Sequence, residues 1–324
     1  MQRKVLVTGG AGFIGSHLVG RLLALGEEVV VLDDLSAGDG ARLSPDARLV
    51  RGDVLDGALV DRLLAGVDCI FHLAARVSVQ QCISDWMAAH RNNLGGTVTV
   101  LQAAHRAGNI PVVYASSAAV YGDCTGRKCR ETDLPRPISP YAADKLAGEH
   151  HAHAMAEIHG LPSAGLRFFN VYGPGQDAAS PYAGVISRFW ANRRAGRPQV
   201  IFGDGRQSRD FIHVADVVEG MLRARDLIGA GPGARVLNLC TGVATTLLDL
   251  VRAIDEVAGG PASAIEHVPA RSGDIRASCG CPEAARAQLG FVAATDVMSG
   301  LRLLCGDAAG AAAVQPRAEK GGRS

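Results

Sequence analysis

Short runs of apolar and β-branched residues alternate along the first half of the chain with longer segments that have helical spacing. The apolar runs predict strands at Lys4–Thr8, Glu28–Asp33, Arg48–Gly52, Asp68–Leu73, Pro111–Ser116 and Gly165–Phe169. Strands that alternate with helices are typical of parallel sheets, and continuous apolar runs indicate a sheet covered on both faces. The pattern therefore predicts an α/β fold with a doubly wound parallel sheet.

The regular alternation ends after Val171, where loops rich in glycine and proline separate shorter helical stretches. Helices are predicted at 183–195, 214–227, 246–258 and 283–289, and the strand pattern at 236–239 is compatible with a return to the first sheet. We expect a main domain at 1–171, a smaller mixed lobe at 172–306 and a disordered tail at 307–324, where alanine and glycine dominate.

Composition narrows the class of protein. The chain has 324 residues, of which 48% are hydrophobic, and 33 basic against 32 acidic residues give a net charge of +1. This balance predicts neither a nucleic-acid partner nor attraction to an anionic membrane. No secretory-type segment precedes the first strand, and no apolar run approaches the ~20 residues of a membrane span, so we expect a cytoplasmic protein.

The cysteines predict no disulfide framework and no metal site. Eight of them are scattered through the sequence, at Cys69, Cys82, Cys124, Cys129, Cys240, Cys279, Cys281 and Cys305. Neither spacing nor chain length is that of a small disulfide scaffold, and Cys279 and Cys281 have no second pair at zinc-finger spacing. We expect reduced thiols and assign no role to Cys279 and Cys281.

A glycine-rich segment, VLVTGGAGFIG, directly follows the first predicted strand and opens a helix. Gly10, Gly12 and Gly15 form the G-x-G-x-x-G pattern, in which glycine permits a tight turn and close approach of the backbone to a pyrophosphate. Asp33 ends the next strand, where a carboxylate binds the ribose hydroxyls and repels a 2′-phosphate. This context predicts a Rossmann domain that binds NAD rather than NADP; the alternative is a glycine-rich turn without a nucleotide.

Asp53, in the segment RGDVLD, ends the third predicted strand and is open to two interpretations. Its carboxylate is placed to accept a hydrogen bond from the adenine amine. It is equally placed to cap the helix that follows.

Tyr141 and Lys145 lie four residues apart in SPYAADKLAGE, so that both side chains project from one face of a helix. Ser139 is a suitable N-cap for this helix, and Gly160 a suitable left-handed end. The Lys145 ammonium together with a cationic nicotinamide ring could lower the phenol pKa, and a lowered pKa lets the phenolate accept a proton at neutral pH. Ser117, after the fifth strand, completes a set that could hold a substrate hydroxyl, remove its proton and let the adjacent carbon donate hydride to NAD.

With these motifs in place, the chain resembles the NAD-dependent nucleotide-sugar epimerases and dehydratases among the extended short-chain dehydrogenases/reductases, and especially the UDP-glucose and UDP-N-acetylglucosamine 4-epimerases. The resemblance runs from Lys4 to about Phe291. It is carried by the segments TGGAGFIG, DDLSAG, GDVLD, HLAA, NNLGGT, SSAAVYG, YAADK, RFFNVYGP, GDGRQSRDFIHVAD and PARSGDIR.

The resemblance implies roles for individual residues. The catalytic residues become Ser117, Tyr141 and Lys145. The cofactor contacts become Gly9, Gly12, Phe13, Ile14, Asp33, Asp53, Val54, Leu73, Ala74, Asn93, Tyr141 and Lys145. The substrate contacts become Ser117, Asn170, Arg209, Arg271, Asp274 and Ser278, in which the arginines suit a diphosphate. Resemblance also implies a homodimer that pairs through helices of the nucleotide domain.

Two small residues bear on the function: Ala119 on the reaction and Ser278 on the sugar. The family's dehydratases and decarboxylases resemble one another in carrying an acid two residues after the catalytic Ser or Thr, where this chain has Ala119, whose methyl group cannot perform acid/base chemistry. The resemblance therefore favours C4 epimerisation of a UDP-sugar through a transient 4-keto intermediate. Ser278 matches a position where a small residue accompanies N-acetylated sugars, although a serine without that role is an equally good interpretation.

Two other functions share parts of this pattern. A nucleotide-sugar 4-ketoreductase or dehydrogenase would use the same residues but exchange its cofactor, and Asp33 disfavours the NADPH usual for reduction. A non-catalytic dinucleotide sensor would keep the fold without any need for Ser117, Tyr141 and Lys145 together.

Overall fold

The computed structural model of the chain describes residues 2–37, 40–176, 184–270 and 274–312. Its strands are β1 (Lys4–Thr8), β2 (Glu28–Asp33), β3 (Arg48–Arg51), β4 (Cys69–His72), β5 (Val112–Ser117), β6 (Ser163–Phe168), β7 (Asn170–Tyr172), β8 (Gln199–Phe202), β9 (Ser208–His213), β10 (Ala234–Leu239), β11 (Ala244–Thr246), β12 (Ile265–Val268) and β13 (Ala277–Ser278). Its α-helices are α1 (Phe13–Ala24), α2 (Gly57–Leu63), α3 (Val79–Ser84), α4 (Trp86–His90), α5 (Gly96–Arg106), α6 (Pro140–His159), α7 (Val185–Arg194), α8 (Val214–Ile228), α9 (Leu247–Ala258), α10 (Glu283–Leu289) and α11 (Val297–Ala312).

A seven-stranded sheet in the order β10-β6-β5-β4-β1-β2-β3 forms the centre of the main domain. Every neighbouring pair in this sheet is parallel, which confirms the predicted doubly wound α/β fold. The order reverses between β1 and β4, and the crevice at such a reversal is where α/β sheets bind their ligands.

Alternate residues of β1 enter two different cores, as a sheet covered on both faces requires. Val5 and Val7 pack with apolar residues of α1 and α8, whereas Leu6 packs with α2, α5 and α6. The burial of all three side chains is complete. The two helical layers therefore hold the ends of the strands rigidly, and the candidate site lies at those ends.

The smaller lobe is built from short strands. A four-stranded mixed sheet contains β11, β9 and β13, with β7 also paired to β9, and a separate pair joins β12 to β8. The apolar core of this lobe lies between α7, α9 and α11, with Phe189, Leu250 and Leu301 buried in it. The strand expected at 236–239 is β10, which pairs with β6 in the main sheet.

The C-terminal helix differs from the expected tail. Residues 297–312 form α11, so 307–312 are helical rather than disordered, while 313–324 lie outside the described residues. The physical reason is that alanine is the best helix former and here extends a helix whose first turns are packed through Leu301.

Two other findings concern the class of protein. Cys124 and Cys129 are joined by a disulfide, so the expectation of reduced thiols is wrong for this pair. The intervening loop brings their Cα atoms to 6.1 Å, within the range a disulfide spans.

In the described part of the chain, no helix is both long and apolar enough to cross a bilayer, and no three metal-ligating side chains are grouped as a metal site. The cytoplasmic location stays a prediction.

Candidate active site

The glycine-rich turn between β1 and α1 leaves the start of α1 open. Gly9 has a left-handed backbone (φ +71°), and a Cβ there would lie 2.5 Å from the backbone nitrogen of Ala74. A Cβ at Gly15 would lie 2.2 Å from the carbonyl oxygen of Gly9, so both positions require glycine. Gly12 caps α1 without a side-chain hydrogen bond, which leaves the first N–H groups available to a phosphate. These features fit a dinucleotide pyrophosphate.

Asp33 and Asp53 end neighbouring strands beside this turn. The Asp33 carboxylate accepts hydrogen bonds from the backbone N–H groups of Ala11 and Leu35, both at 2.9 Å, and keeps further lone pairs for ribose hydroxyls. Asp53 is exposed, and among the described residues its carboxylate accepts only from Leu55 N–H, at 2.9 Å. The N-cap of α2 is instead Asp56, so the capping interpretation of Asp53 is wrong and its carboxylate stays available.

The other proposed cofactor contacts form the walls of the same crevice. Phe13 and Ile14 are the first residues of α1, and Leu73 and Ala74 follow β4 on the opposite side of the reversal point. Val54 is buried in the core that includes α2 and α5, so its role as a cofactor contact stays a prediction.

Asn93 holds the loop after β4 in place. It is 1% exposed, lies in a π-helical turn at 91–95, and exchanges two hydrogen bonds with the backbone of Arg76, at 2.7 and 3.2 Å. Its amide is therefore committed to the protein backbone, and any contribution to cofactor binding comes through the loop that it orders. Single π turns of this kind are frequent at functional sites.

Ser117, Tyr141 and Lys145 come together at the carboxyl end of β5. Ser139 caps α6 through Ala142 N–H, Pro140 opens it and Gly160 ends it with a left-handed backbone (φ 70°), as the sequence predicts. The Ser117 side chain is near enough to the Tyr141 phenol to affect its pKa, and the Lys145 Nζ lies 5.8 Å from the centre of the Tyr141 ring. The ammonium donates a hydrogen bond to the carbonyl oxygen of Ala115, at 2.8 Å.

Burial dominates the electrostatics of Tyr141 and Lys145. It raises the pKa of the Tyr141 phenol to about 12, although the Ser117 side chain opposes that shift. Burial also lowers the pKa of Lys145 to about 8, against the opposing effect of Asp144. The ammonium is directed at Ala115 and desolvation dominates the pKa of the phenol, so the expected lowering by Lys145 together with the nicotinamide cation stays a prediction.

A buried ion pair behind these residues escaped the sequence analysis. Arg167 of β6 donates two hydrogen bonds to Glu149 of α6, at 2.9 and 2.7 Å, and both side chains are 5% exposed. Ser116 donates to the same carboxylate, and Arg167 also donates to the Tyr121 hydroxyl. The pair therefore locks β5, β6 and α6 together one residue from Ser117 and one turn from Lys145. The sequence does contain a sign of this pair, because Glu149 and Arg167 are charged residues within a helix and a strand that are predicted to be buried.

A cavity of about 430 Å³ lies in the smaller lobe, at the ends of β7, β8 and β9. It contains Asn170, Arg209 and Asp274, three of the proposed substrate contacts. Arg209 donates to Asp274 at 3.1 Å, and their side chains are 15% and 40% exposed. Arg271 lies outside the described residues.

Two aromatic rings, Phe189 and Phe202, also line this cavity and escaped the sequence analysis. Phe202 is partly exposed and suits an aromatic base, because planar rings stack, whereas Phe189 is only 3% exposed. The continuous apolar run at 200–202 does not indicate which side chain opens to a ligand.

Ser278 lies in β13, paired in register with Arg209 of β9, and is 7% exposed. The loop closed by the disulfide holds this strand: Cys124 N–H donates to Ala277 and Cys129 N–H to Cys279. Ser278 is thus fixed beside the arginine rather than in a free loop.

Comparisons with known proteins agree with this geometry. Residues 5–240 match the NAD dependent epimerase/dehydratase family. The chain is 42% identical over 284 residues to the UDP-glucose 4-epimerase of Mycolicibacterium smegmatis, which covers 85% of this chain and 88% of that one. It is 36% identical over 311 residues to a dTDP-glucose 4,6-dehydratase of Streptomyces griseus, and the match covers 93% of this chain and 92% of that protein. The crystal structure of Thermotoga maritima UDP-glucose 4-epimerase with UDP-glucose superposes with a TM-score of 0.89 at 32% identity, with 95% and 99% covered.

Proposed function

The chain belongs to the NAD dependent epimerase/dehydratase family, and from this premise we propose that it is a UDP-sugar 4-epimerase that works through a transient 4-keto sugar. One observation carries the choice of reaction: Ser117, Tyr141 and Lys145 are assembled, while Ala119 stands beside them where elimination would need an acid. Ala119 is also committed structurally, since its N–H donates to Ser117 Oγ.

Tyr141 acts as the general base and then as the general acid. Its phenolate accepts the proton of the C4 hydroxyl and returns it to the same oxygen after the ketone has turned over, so the residue is unchanged over one cycle. Ser117, whose side chain is near the phenol, holds the C4 oxygen within reach of that transfer. When bound, NAD supplies the reversible two-electron oxidation of C4 and a positive charge on its oxidised nicotinamide ring.

The positive charge of the oxidised nicotinamide would lower the pKa of Tyr141, which burial raises. The pKa of Tyr141 is raised by burial, and a low-dielectric site magnifies the effect of any cation placed beside the phenol. Lys145 contributes its ammonium from one turn further along α6, fixed by the carbonyl oxygen of Ala115. We therefore infer that Tyr141 becomes basic only in the NAD-loaded enzyme.

The smaller lobe holds the nucleotide and leaves the sugar free to turn. Arg209 supplies a charged donor for the diphosphate, and the partly exposed ring of Phe202 supplies a face for the base. Inversion at C4 requires that the keto sugar present both faces to the same reacting groups, and a clamp restricted to the nucleotide permits that movement.

We propose that the pocket accepts N-acetylated as well as plain hexoses. Ser278 supports this proposal because it is small and lies beside Arg209 in the paired strands. The bulk of an N-acetyl group would then meet a hydroxymethyl side chain rather than an aromatic ring.

We propose a homodimer formed through the nucleotide domain. Five apolar residues between positions 77 and 87 are exposed: Val77 by 61%, Val79 by 38%, Ile83 by 47%, Trp86 by 62% and Met87 by 75%. They belong to α3, α4 and the preceding loop, which pack beside α6. Sedimentation should show a dimer that W86E/M87E converts to a monomer, whereas V292E, which alters an exposed valine outside this patch, should remain dimeric.

Turnover of UDP-sugars without added nicotinamide tests the proposed reaction. The purified protein should convert UDP-galactose to UDP-glucose, and the N-acetylated pair likewise, while its bound NAD is conserved. A product that requires stoichiometric NADH or NADPH would identify a ketoreductase or dehydrogenase. Binding without any product would identify a sensor, and a 4-keto-6-deoxy product would show that elimination proceeds despite Ala119.

A further inference from the structure

A buried carboxylate directly beside Lys145 has no role in the reaction as described above. Asp144 precedes Lys145 on α6, and its side chain is 8% exposed. One oxygen pairs with His90 Nδ1, at 2.8 Å, while the other is buried and has no hydrogen-bond partner in the described part of the chain. Burying an unsatisfied carboxylate oxygen costs stability, so we expect Asp144 to have a function that offsets this cost.

His90 connects this carboxylate to the surface. It is the last residue of α4, and its side chain is 55% exposed. A single hydrogen bond to a half-exposed imidazole orients Asp144 but leaves most of its charge uncompensated. Asp144 therefore differs from Glu149, whose carboxylate receives two hydrogen bonds from Arg167.

The negative charge of Asp144 favours the protonated form of Lys145. The titratable groups around the ammonium are Tyr141, Asp144 and Glu149 of α6 and Cys82 of α3, and Asp144 is the largest of the influences that favour the charged amine. From β4, His72 is kept neutral, since burial and Lys145 together lower its pKa to about 3. Burial raises the pKa of the Cys82 thiol, which keeps that group neutral as well.

We propose that Asp144, oriented by His90, is a positioning residue that keeps the Lys145 ammonium charged inside the catalytic site. The inference rests on the proposed function for its purpose, because the protonated lysine is what supports the Tyr141 phenolate. Glu149 cannot substitute, since its charge is already compensated by Arg167.

Direct titration of Lys145 tests the inference without substrate or cofactor. The chain contains four lysines, Lys4, Lys128, Lys145 and Lys320, so ¹³Cε-lysine labelling gives few NMR signals, and K145R assigns the one of interest. The wild-type signal should titrate near pH 8. In D144N it should titrate about one pH unit lower, because an opposite charge at short range contributes on that scale.

Matched variants separate charge from structure. E157Q removes an exposed carboxylate from the same helix and should leave the Lys145 titration unchanged, and H90Q, which keeps a hydrogen-bond donor, should shift it little. D144S provides a second, smaller replacement should the asparagine variant fold poorly. A lower melting temperature with an unmoved Lys145 titration in both variants would overturn the proposal.

The activity profile adds an independent readout. The alkaline limb of kcat/KM should move to lower pH in D144N while the acid limb stays in place, since deprotonation of Lys145 ends activity. Equal loss at every pH would indicate only a structural role. If the wild type fails to epimerise UDP-sugars, the proposed function falls, while the NMR titration still decides the role of Asp144.

Discussion

Two arginine–carboxylate pairs mark the two ends of the candidate site, and they differ in burial rather than in chemistry. The Arg167–Glu149 pair lies in the packed layer behind Ser117, with each side chain 5% exposed. The Arg209–Asp274 pair opens into the cavity of the smaller lobe, with side chains 15% and 40% exposed.

The comparison shows how one kind of contact can serve two purposes. Removing one partner of a buried pair leaves an uncompensated charge and costs about 3–5 kcal/mol, so Arg167–Glu149 cannot exchange partners. A pair with an exposed member contributes about 0–1 kcal/mol, so a diphosphate can replace Asp274 on Arg209. We expect the first pair to fix the geometry of the proposed catalytic residues and the second to permit reversible binding of a diphosphate.

The largest effect is expected for E149Q, which tests the contrast in burial between the two pairs. It leaves Arg167 buried without its counter-ion, so the free energy of unfolding should fall by about 3–5 kcal/mol in chemical denaturation. E219Q removes the carboxylate of the exposed Glu219–Arg223 pair and should cost no more than about 0.5 kcal/mol. Equal losses in the two variants would contradict the contrast in burial.

The next effect concerns binding at the exposed pair. R209Q removes a charge-assisted donor worth about 1.5–3 kcal/mol, so KM for a UDP-sugar should rise about 10- to 100-fold with a smaller change in kcat. R206Q alters an exposed arginine that does not line the cavity and should leave KM unchanged. A shared rise in both variants would indicate general attraction by positive charge rather than a clamp.

The substitution S278Y sharpens the assignment of the smaller lobe. A phenol ring at this position should lower kcat/KM for UDP-N-acetylglucosamine relative to UDP-glucose by about tenfold or more, the scale of steric discrimination in a pocket. Retained kcat/KM for UDP-glucose controls for damage to the strand pairing. An unchanged ratio between the two sugars would remove Ser278 from sugar selection.

The smallest effect is expected for D274N. Because Asp274 competes with the diphosphate for Arg209, its neutralisation should lower KM by less than about fivefold. Measurement at low and high salt checks the electrostatic origin, since salt screens exposed charges. A rise in KM would show that Asp274 contacts the substrate directly.

The main domain was predictable because its patterns are local. Lys4–Thr8 and Glu28–Asp33 are strands with the predicted bounds, and the capping residues Ser139 and Gly160 end α6 as expected. Strand period, glycine turns and helix caps each depend on a few neighbouring residues.

The rest depended on contacts between distant segments. Helix spacing places Lys145 near Tyr141 but does not reveal that Ala115 receives its hydrogen bond or that burial outweighs its charge. The Cys124–Cys129 disulfide and the pairing of Ser278 with Arg209 require the folded loop around them. Short strands such as β13 carry too little periodicity to be recognised.

The central claim is that the Tyr141 oxygen exchanges the proton of the sugar alcohol, and Y141F tests it most directly. The variant should retain bound NAD, measured by extraction, while kcat for UDP-galactose falls 100-fold or more, the usual contribution of general acid–base catalysis. Y114F removes a buried hydroxyl that has no partner among the described residues and should turn over normally. Near-normal kcat in Y141F with NAD bound would contradict the account.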